Sequence, residues 1–273
     1  MKTKKNIPQP GKNIIALLTD FGTEDHYVAA MKGRILSINP SAAIVDITHA
    51  VEPHNVRQGE YLLWSAYRFF PKGTIFIGIV DPGVGTERTI LAIQSPEYTF
   101  ILPHNGLANA VLNEESKFDA VQIDLKKSAD YFRFPISTTF HGRDIFAPLA
   151  AHLSLGVSTE EFGDRTELPP AVPLFMHVRD ETVKPRILHL DHFGNIITNI
   201  RVPAQAEAER AVKAVGIGRN LVSRWIRAYA DALDNTPCLI VGSSGLVEIS
   251  IKNKKASAAL SISLDTPLKM YWK

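Results

Sequence analysis

Two apolar runs, Ile14 to Leu18 and Thr74 to Val80, each end abruptly in an aspartate, Asp20 just after Thr19 in the first case and Asp81 in the second. A run without polar alternation reads as a strand buried on both faces, and such strands belong in a parallel sheet covered by helices on both sides. Ligands in open α/β sheets bind outside the carboxyl ends of the strands, which is where both aspartates fall. Behind Asp81 comes Pro82-Gly83-Val84-Gly85-Thr86-Glu87-Arg88, a glycine loop that brings an acid and an arginine within reach of an ion pair. An arginine held that way keeps its charge and aims its donors, although a turn closed by a structural ion pair reads the same.

Helical periodicity fills the spaces between the strands. Val28, Met31, Ile35 and Ile38 recur at helical spacing over Tyr27 to Ile38 until Asn39-Pro40 stops them, and Val56, Leu62, Leu63 and Tyr67 give an inner face to a helix over Asn55 to Phe70. Ala43 to Ile47 is a further strand; Thr89 to Ile93 and Tyr98 to Leu102 form a hairpin; Val121 to Leu125 is another strand. A polar loop over Lys126 to Pro135 delivers Phe140-His141-Gly142-Arg143-Asp144 to a helix over Ile145 to Leu155. The alternation predicts an N-terminal α/β domain over 13–168 with helices on both faces of the sheet. The first strand-turn-helix unit lacks G-x-G-x-x-G, which disfavours a dinucleotide site, and Asp20 at this turn suits a ribose diol or caps the helix behind it.

Texture changes at Leu168-Pro169-Pro170-Ala171-Val172-Pro173, so residues 169–185 read as a linker. Beyond it, short strand-like runs at Arg186 to Leu190, Ile196 to Ile200, Cys238 to Val241, Leu246 to Ile251 and Ala259 to Ser263 predict a smaller, mostly β, barrel-like C-terminal domain over 186–273. Only Leu221 to Leu233 looks helical there, with Trp225, Tyr229 and Leu233 as a packing face.

Charge narrows the function classes. Thirty basic residues against 28 acidic leave a formal charge of +2, which argues against a nucleic-acid or membrane-surface partner. The lone cysteine, Cys238, excludes an internal disulfide and fits a reducing, cytoplasmic compartment. Met1 to Lys12 is basic and polar with no apolar segment, and reads as a disordered tail. His49, His54, His104 and His192 lack the paired spacing of a metal site and read as surface or core histidines, so no metal is expected. Asp144 is expected to pair with Arg143 as scaffold.

Three separated motifs, Thr19-Asp20-Phe21-Gly22, the Val80 to Arg88 stretch and Phe140 to Asp144, occur in this order, with Asp191-His192-Phe193-Gly194-Asn195-Ile196-Ile197-Thr198-Asn199 further on. Together they resemble the S-adenosylmethionine hydroxide adenosyltransferases, adenosine-forming hydrolases related to the fluorinase and chlorinase, over about Ile14 to Leu264. The resemblance implies an N-terminal α/β domain, a C-terminal β-barrel-like domain and a homotrimer with sites between neighbouring subunits. It places the hydrolytic acid, arginine and histidine on Asp81, Arg88 and His141, positions at which the halogenases carry other residues for the acid and the histidine. It also implies that Asp20 grips the ribose hydroxyls, Phe140 lines the reaction pocket, Asp191 lies near the methionine ammonium, Phe193 and Asn195 surround the adenosyl portion, and Ser243 belongs to a methionine-carboxylate loop. Lys252-Asn253-Lys254-Lys255 departs from the family in length and charge, and His54 stands where the halogenases have an aromatic wall. S-adenosylmethionine is then substrate and no cofactor is needed.

The chemistry fits those residue types. Displacing methionine from a sulfonium at C5′ in one in-line step removes charge as the bond breaks, so a dry pocket favours reaction. Arg88 would stabilise hydroxide character on the attacking water, Asp81 would orient the guanidinium, and His141 would hold or deprotonate the water. Two alternatives use the same pocket: a halogenase delivering chloride or fluoride to that carbon, which a charged triad argues against, and a protein that binds S-adenosylmethionine without turnover.

Overall fold

The structure, a computed structural model, describes residues 13–115, 117–132, 135–180 and 182–273; the segment Met1 to Lys12, read above as a tail, lies outside them. The chain divides into two units, Met1–Val172 and Pro173–Lys273.

The first unit is built on a seven-stranded sheet. Its elements run β1 (Ile14–Thr19), α1 (Tyr27–Ile38), β2 (Ala43–Thr48), α2 (Val56–Ala66), β3 (Ile75–Ile79), β4 (Ile90–Gln94), β5 (Thr99–Pro103), α3 (Asn109–Leu112), β6 (Asp119–Ile123), α4 (Ala147–Ser154) and β7 (Gly163–Arg165). The strand order is β2-β1-β3-β5-β4-β6-β7. β2, β1, β3 and β5 are parallel, and β4, β6 and β7 extend the sheet antiparallel, with β4 and β5 as the expected hairpin. Successive side chains of the parallel strands face opposite sides. Ile15, Leu17, Ile75, Ile77 and Ile79 pack with Met31 and Ile35 of α1 and with Leu149 and Ala150 of α4. On the other face α2 comes so close that a Cβ at Gly59 would stand 2.9 Å from side-chain carbons of both Val80 and Leu107. Burial on both faces is why these runs carry no polar alternation.

The chain leaves β1 for β2 on one side and then crosses to β3 on the other, so the sheet changes direction between β1 and β3. That is the place where doubly wound sheets open a crevice at their carboxyl edge. In the β1–β3 register Thr19 lies opposite Ile79, which sets Asp20 and Asp81 side by side on that edge.

The second unit carries β8 (Met176–His177), β9 (Ile187–Leu190), β10 (Ile196–Arg201), α5 (Gln205–Ala211), β11 (Val212–Ile217), β12 (Asn220–Val222), β13 (Cys238–Val241), β14 (Leu246–Ser250), α6 (Ala256–Ala259) and β15 (Leu268–Trp272). β13-β14-β10-β8, with β9 also on β10, form one sheet and β12-β11-β15 another. Ile196, Ile200, Val215, Ile217, Leu239, Val247 and Ile249 from the two sheets share one core. The segment expected as linker is divided, because Met176–His177 pairs in parallel with Ile200 and Arg201.

Two local expectations for this unit are corrected. Leu221 to Leu233 is not a helix: β12 occupies its start, Trp225 bridges to Leu239 and donates Nε1–H to the Val212 carbonyl at 3.3 Å, and the Asp231 carboxylate accepts the Ala228 N–H at 3.0 Å to close a short 3₁₀ turn. An aspartate bonding the backbone locally competes with helix, and Tyr229 and Leu233 are left half exposed rather than packed. Ala259 to Ser263 is not a strand, since the small residues before it wind into α6 and Ser261 turns the chain with φ +58°. Among the described residues, no helix is long and apolar enough to cross a membrane.

Candidate active site

Asp81, Arg88 and His141 are brought into mutual contact. Arg88 Nε donates to Asp81 Oδ2 at 2.6 Å, its Nη2 also pairs with that oxygen, and the same Nη2 lies 3.0 Å from His141 Nδ1. The Asp81 and Arg88 side chains are only 4% and 11% exposed, so the pair is shielded from the solvent that makes exposed ion pairs weak. Gly83 N–H donates to Asp81 Oδ1 at 3.2 Å, and the guanidinium lies 5.8 Å from the centre of the Phe146 ring.

Local structure holds the cluster. Gly85 has φ +79°, and a Cβ there would stand 2.4 Å from the Thr138 carbonyl oxygen, so only glycine lets the loop after β3 dock on the loop that carries His141. Asp144 holds the second loop from the other side: it chelates Arg143 at 2.6 and 2.8 Å and accepts the Ser137 N–H at 2.9 Å. His141 then starts a single wide π-helical turn, Gly142–Phe146, that runs into α4, in place of the start of the helix expected from Ile145. Such turns recur at functional sites. Gly142 packs where a methyl would meet Met31 Sδ at 3.1 Å and Phe21 Cε2 at 3.2 Å.

The protonation of His141 follows from its partners. A guanidinium only donates, so Nδ1 must accept and a neutral ring carries its proton on Nε2. Burial first, and the Arg88 charge second, push the His141 pKa below its ordinary value, with Asp81 and Asp144 opposing. The ring is therefore a neutral Nε2–H donor.

Asp20, Phe140, His141 and Asp81 line one cavity of about 540 Å³, together with Phe21, His26, Tyr27, His54 and Thr139. Asp20 does not cap α1, whose N-cap is His26, and its Oδ2 accepts the His54 N–H at 2.9 Å. His54 takes φ +67° to make that contact. Phe140 sits edge-on to Tyr27 with centroids 5.1 Å apart. Sequence reasoning used Tyr27 only as the start of a helix and passed over His26; their position directly behind the Asp20 turn is the signal that would have found them.

In the second unit, Asp191 and Asn195 close one turn. Asp191 accepts the Asn195 N–H at 2.7 Å and its side-chain amide at 2.8 Å, and Gly194 between them has φ +86°. Phe193, 74% exposed, and Asn195 line a cleft with Tyr229 and Lys252 to Lys255. Ser243 stands apart from that cleft, in the turn between β13 and β14. Tyr229, read above as packing, donates its hydroxyl to Glu248 Oε2 at 2.8 Å. Glu248 is buried, and burial, with the Asp191 charge adding to it, pushes its carboxyl up despite the Tyr229 bond.

Fold and site together define a two-unit protein with an acid–arginine–histidine cluster at the switch point of an α/β sheet, followed by a mostly β unit. The chain belongs to the SAM hydroxide adenosyltransferase family, residues 15–163 matching its N-terminal domain and residues 185–269 its C-terminal domain. It is 35% identical to a protein of Methanocaldococcus jannaschii named (R)-S-adenosyl-L-methionine hydrolase, covering 92% of each chain. A fluorinase of an Actinoplanes strain is 31% identical over 71% of this chain and 74% of its own. The crystal structure of an uncharacterized conserved protein from Thermotoga maritima superposes with a TM-score of 0.83 at 35% identity, covering 94% of this chain and all of its own.

Proposed function

We propose that this protein is an enzyme that hydrolyses S-adenosyl-L-methionine to adenosine and L-methionine. Water attacks the ribose C5′ in line with the sulfonium. The new bond is O–C5′, the bond broken is C5′–S, its electron pair neutralises sulfur, and the proton of the water passes to solvent. The observation that carries this reading is the contact of Arg88 with both Asp81 and His141, which themselves line a cavity with Asp20. Arg88 stabilises negative charge on the oxygen, and Asp81 offsets the guanidinium beside a cationic substrate. His141 donates from Nε2 to the nucleophile, so it holds the oxygen instead of deprotonating it.

Asp20 accepts the ribose hydroxyls and Phe140 keeps the sulfonium side dry. Asp191, with the buried Glu248 carboxyl nearby, suits the methionine ammonium. Phe193 and Asn195 take the adenosyl portion, and Ser243 the methionine carboxylate. The relevant assembly is a homotrimer in which the second unit of one copy completes the cavity of its neighbour, and the compartment is the cytoplasm. No cofactor is required.

The test is incubation with each sulfonium epimer of S-adenosylmethionine, with and without chloride or fluoride, followed by chromatography of the products. Equal amounts of adenosine and methionine without halide are expected, with the R epimer preferred as the names of the relatives indicate. A halogenated deoxyadenosine would favour the halogenase reading, and binding without turnover the sensor reading.

A further inference from the structure

We propose that His49 is a positioning residue that fixes the turn carrying Asp20, and that it acts on ligand affinity through Asp20 alone. The inference rests on the reading of Asp20 as the ribose acceptor.

His49 follows β2 and is buried, with a side chain 3% exposed. It grips both flanks of Asp20. Its Nδ1 lies 2.8 Å from Thr19 Oγ1, and the same hydroxyl accepts the Phe21 N–H at 3.2 Å. Its carbonyl accepts the Gly22 N–H at 2.8 Å, where the chain turns with φ +68°. The bonds to Thr19 and Gly22 thus fix the residue before Asp20 and the second residue after it. Besides these, the turn has the Phe21 N–H bond to Thr19 Oγ1 and a long 3.3 Å bond from Asp20 N–H to the Ile79 carbonyl, and the carboxylate has its contact with the His54 N–H; of the two bonds from His49, only the one from Nδ1 depends on the imidazole.

The sheet is shaped for this grip. β1 and β2 pair in parallel, but Leu17 stands opposite Asp46 while Leu18 stands opposite Thr48, so β2 carries one extra residue just before His49. Bulges of this kind re-aim a side chain and gather beside functional sites, and they are rare in parallel pairs. In this sheet the bulge brings His49 level with the turn at the end of β1. His49 Nε2 points toward Asp46, at 3.1 Å from Oδ1 without the alignment of a hydrogen bond, and Asp46 is itself held by Lys32 of α1 at 2.6 Å. The ring is therefore set between Asp46 on its Nε2 side and Thr19 on its Nδ1 side, and only the Nδ1 side reaches the Asp20 turn. A histidine kept only for packing would need neither the strand bulge nor an Nδ1 bond to the residue before Asp20.

The experiment is a double-mutant cycle on adenosine affinity, measured by calorimetry with the full chain. His49→Ala removes the Nδ1–Thr19 bond and leaves the main-chain bond to Gly22, and should weaken adenosine binding about tenfold, a scale set by loss of one buried hydrogen bond that holds a charge-assisted contact in place. His49→Asn, whose amide overlays Nδ1 of the ring, should stay within about threefold of the parent because the bond to Thr19 survives. In an Asp20→Ala background, His49→Ala should cost nothing further, and turnover at saturating S-adenosylmethionine should fall less than affinity does. Should His49→Ala fail to fold, as thermal unfolding would report, Thr19→Val carries the same test with the ring intact. Equal losses in the parent and Asp20→Ala backgrounds, or unchanged affinity in His49→Ala or its substitute, would overturn the proposal. Unchanged affinity in Asp20→Ala would remove the ribose reading itself and the proposal with it.

Discussion

Arg88 joins the acid to the histidine through one nitrogen, and in the proposed reaction it has the most demanding role of any single residue, facing charge that develops only as water attacks. Arg88→Ala should lower the rate of adenosine formation at least about 100-fold, roughly 3 kcal/mol of transition-state stabilisation, while binding of S-adenosylmethionine survives. Single-turnover kinetics alongside calorimetry checks both halves, and a variant that no longer binds would reassign the arginine to the ligand. His141 makes a separate prediction in pH. Its pKa is depressed in the folded state, so the unfolded chain binds more protons between the lowered value and the ordinary one, about 6.5. Its contribution to stability is whole above that ordinary value and is lost as pH falls through the window below it. Because the active ring is neutral, the acid limb of the kcat profile should fall on the acid side of about 6.5. A midpoint at or above that value would contradict the Nε2–H donor.

At the scale of elements, the site depends on two loops that meet at Gly85 and Thr138. Gly85→Ala adds a methyl where the carbonyl oxygen is 2.4 Å away and the backbone is left-handed. It should destabilise the fold by about 1–3 kcal/mol and lower activity further than stability, by parting His141 from Arg88. Thermal unfolding beside kcat would show this, and wild-type activity in a folded Gly85→Ala would mean the loops need not dock. The same scale explains what was legible in the sequence. β1, α1 and β3 follow from unbroken apolar runs and helical spacing, and their carboxyl-end aspartates from where those runs stop. Asp81 and Arg88 share one short loop, so their contact is nearly local. The second unit was harder to read. Trp225, Tyr229 and Leu233 have helical spacing, but Asp231 bonds its own backbone and the segment is irregular. β15 alternates Leu268, Met270 and Trp272 with Lys269 and Tyr271, a period-2 strand signal too short to stand out beside the turn residues before it. The grip of His49 on the Asp20 turn depends on a strand bulge that no residue pattern announces.

At the scale of the whole molecule, the proposed ligand contacts divide between the units, with Asp20, Asp81, Arg88 and His141 in the first and Asp191, Phe193 and Asn195 in the second. Cyclic assemblies with heterologous interfaces can complete such a site between copies. Mixing an Arg88→Ala chain with an Asn195→Ala chain, each nearly inactive alone, should therefore restore part of the activity as some interfaces pair two intact halves. Subunits that exchange without any return of activity, together with an active monomer by light scattering, would exclude the shared site. The most direct measurement on the chemistry is turnover of S-adenosylmethionine in oxygen-18 water with mass spectrometry of the nucleoside. Attack of water held by Arg88 and His141 on C5′ should place one solvent oxygen at the 5′ position of adenosine in every turnover. Adenosine without the label, or a 5′-substituted deoxyadenosine in its place, would contradict hydrolysis at this site.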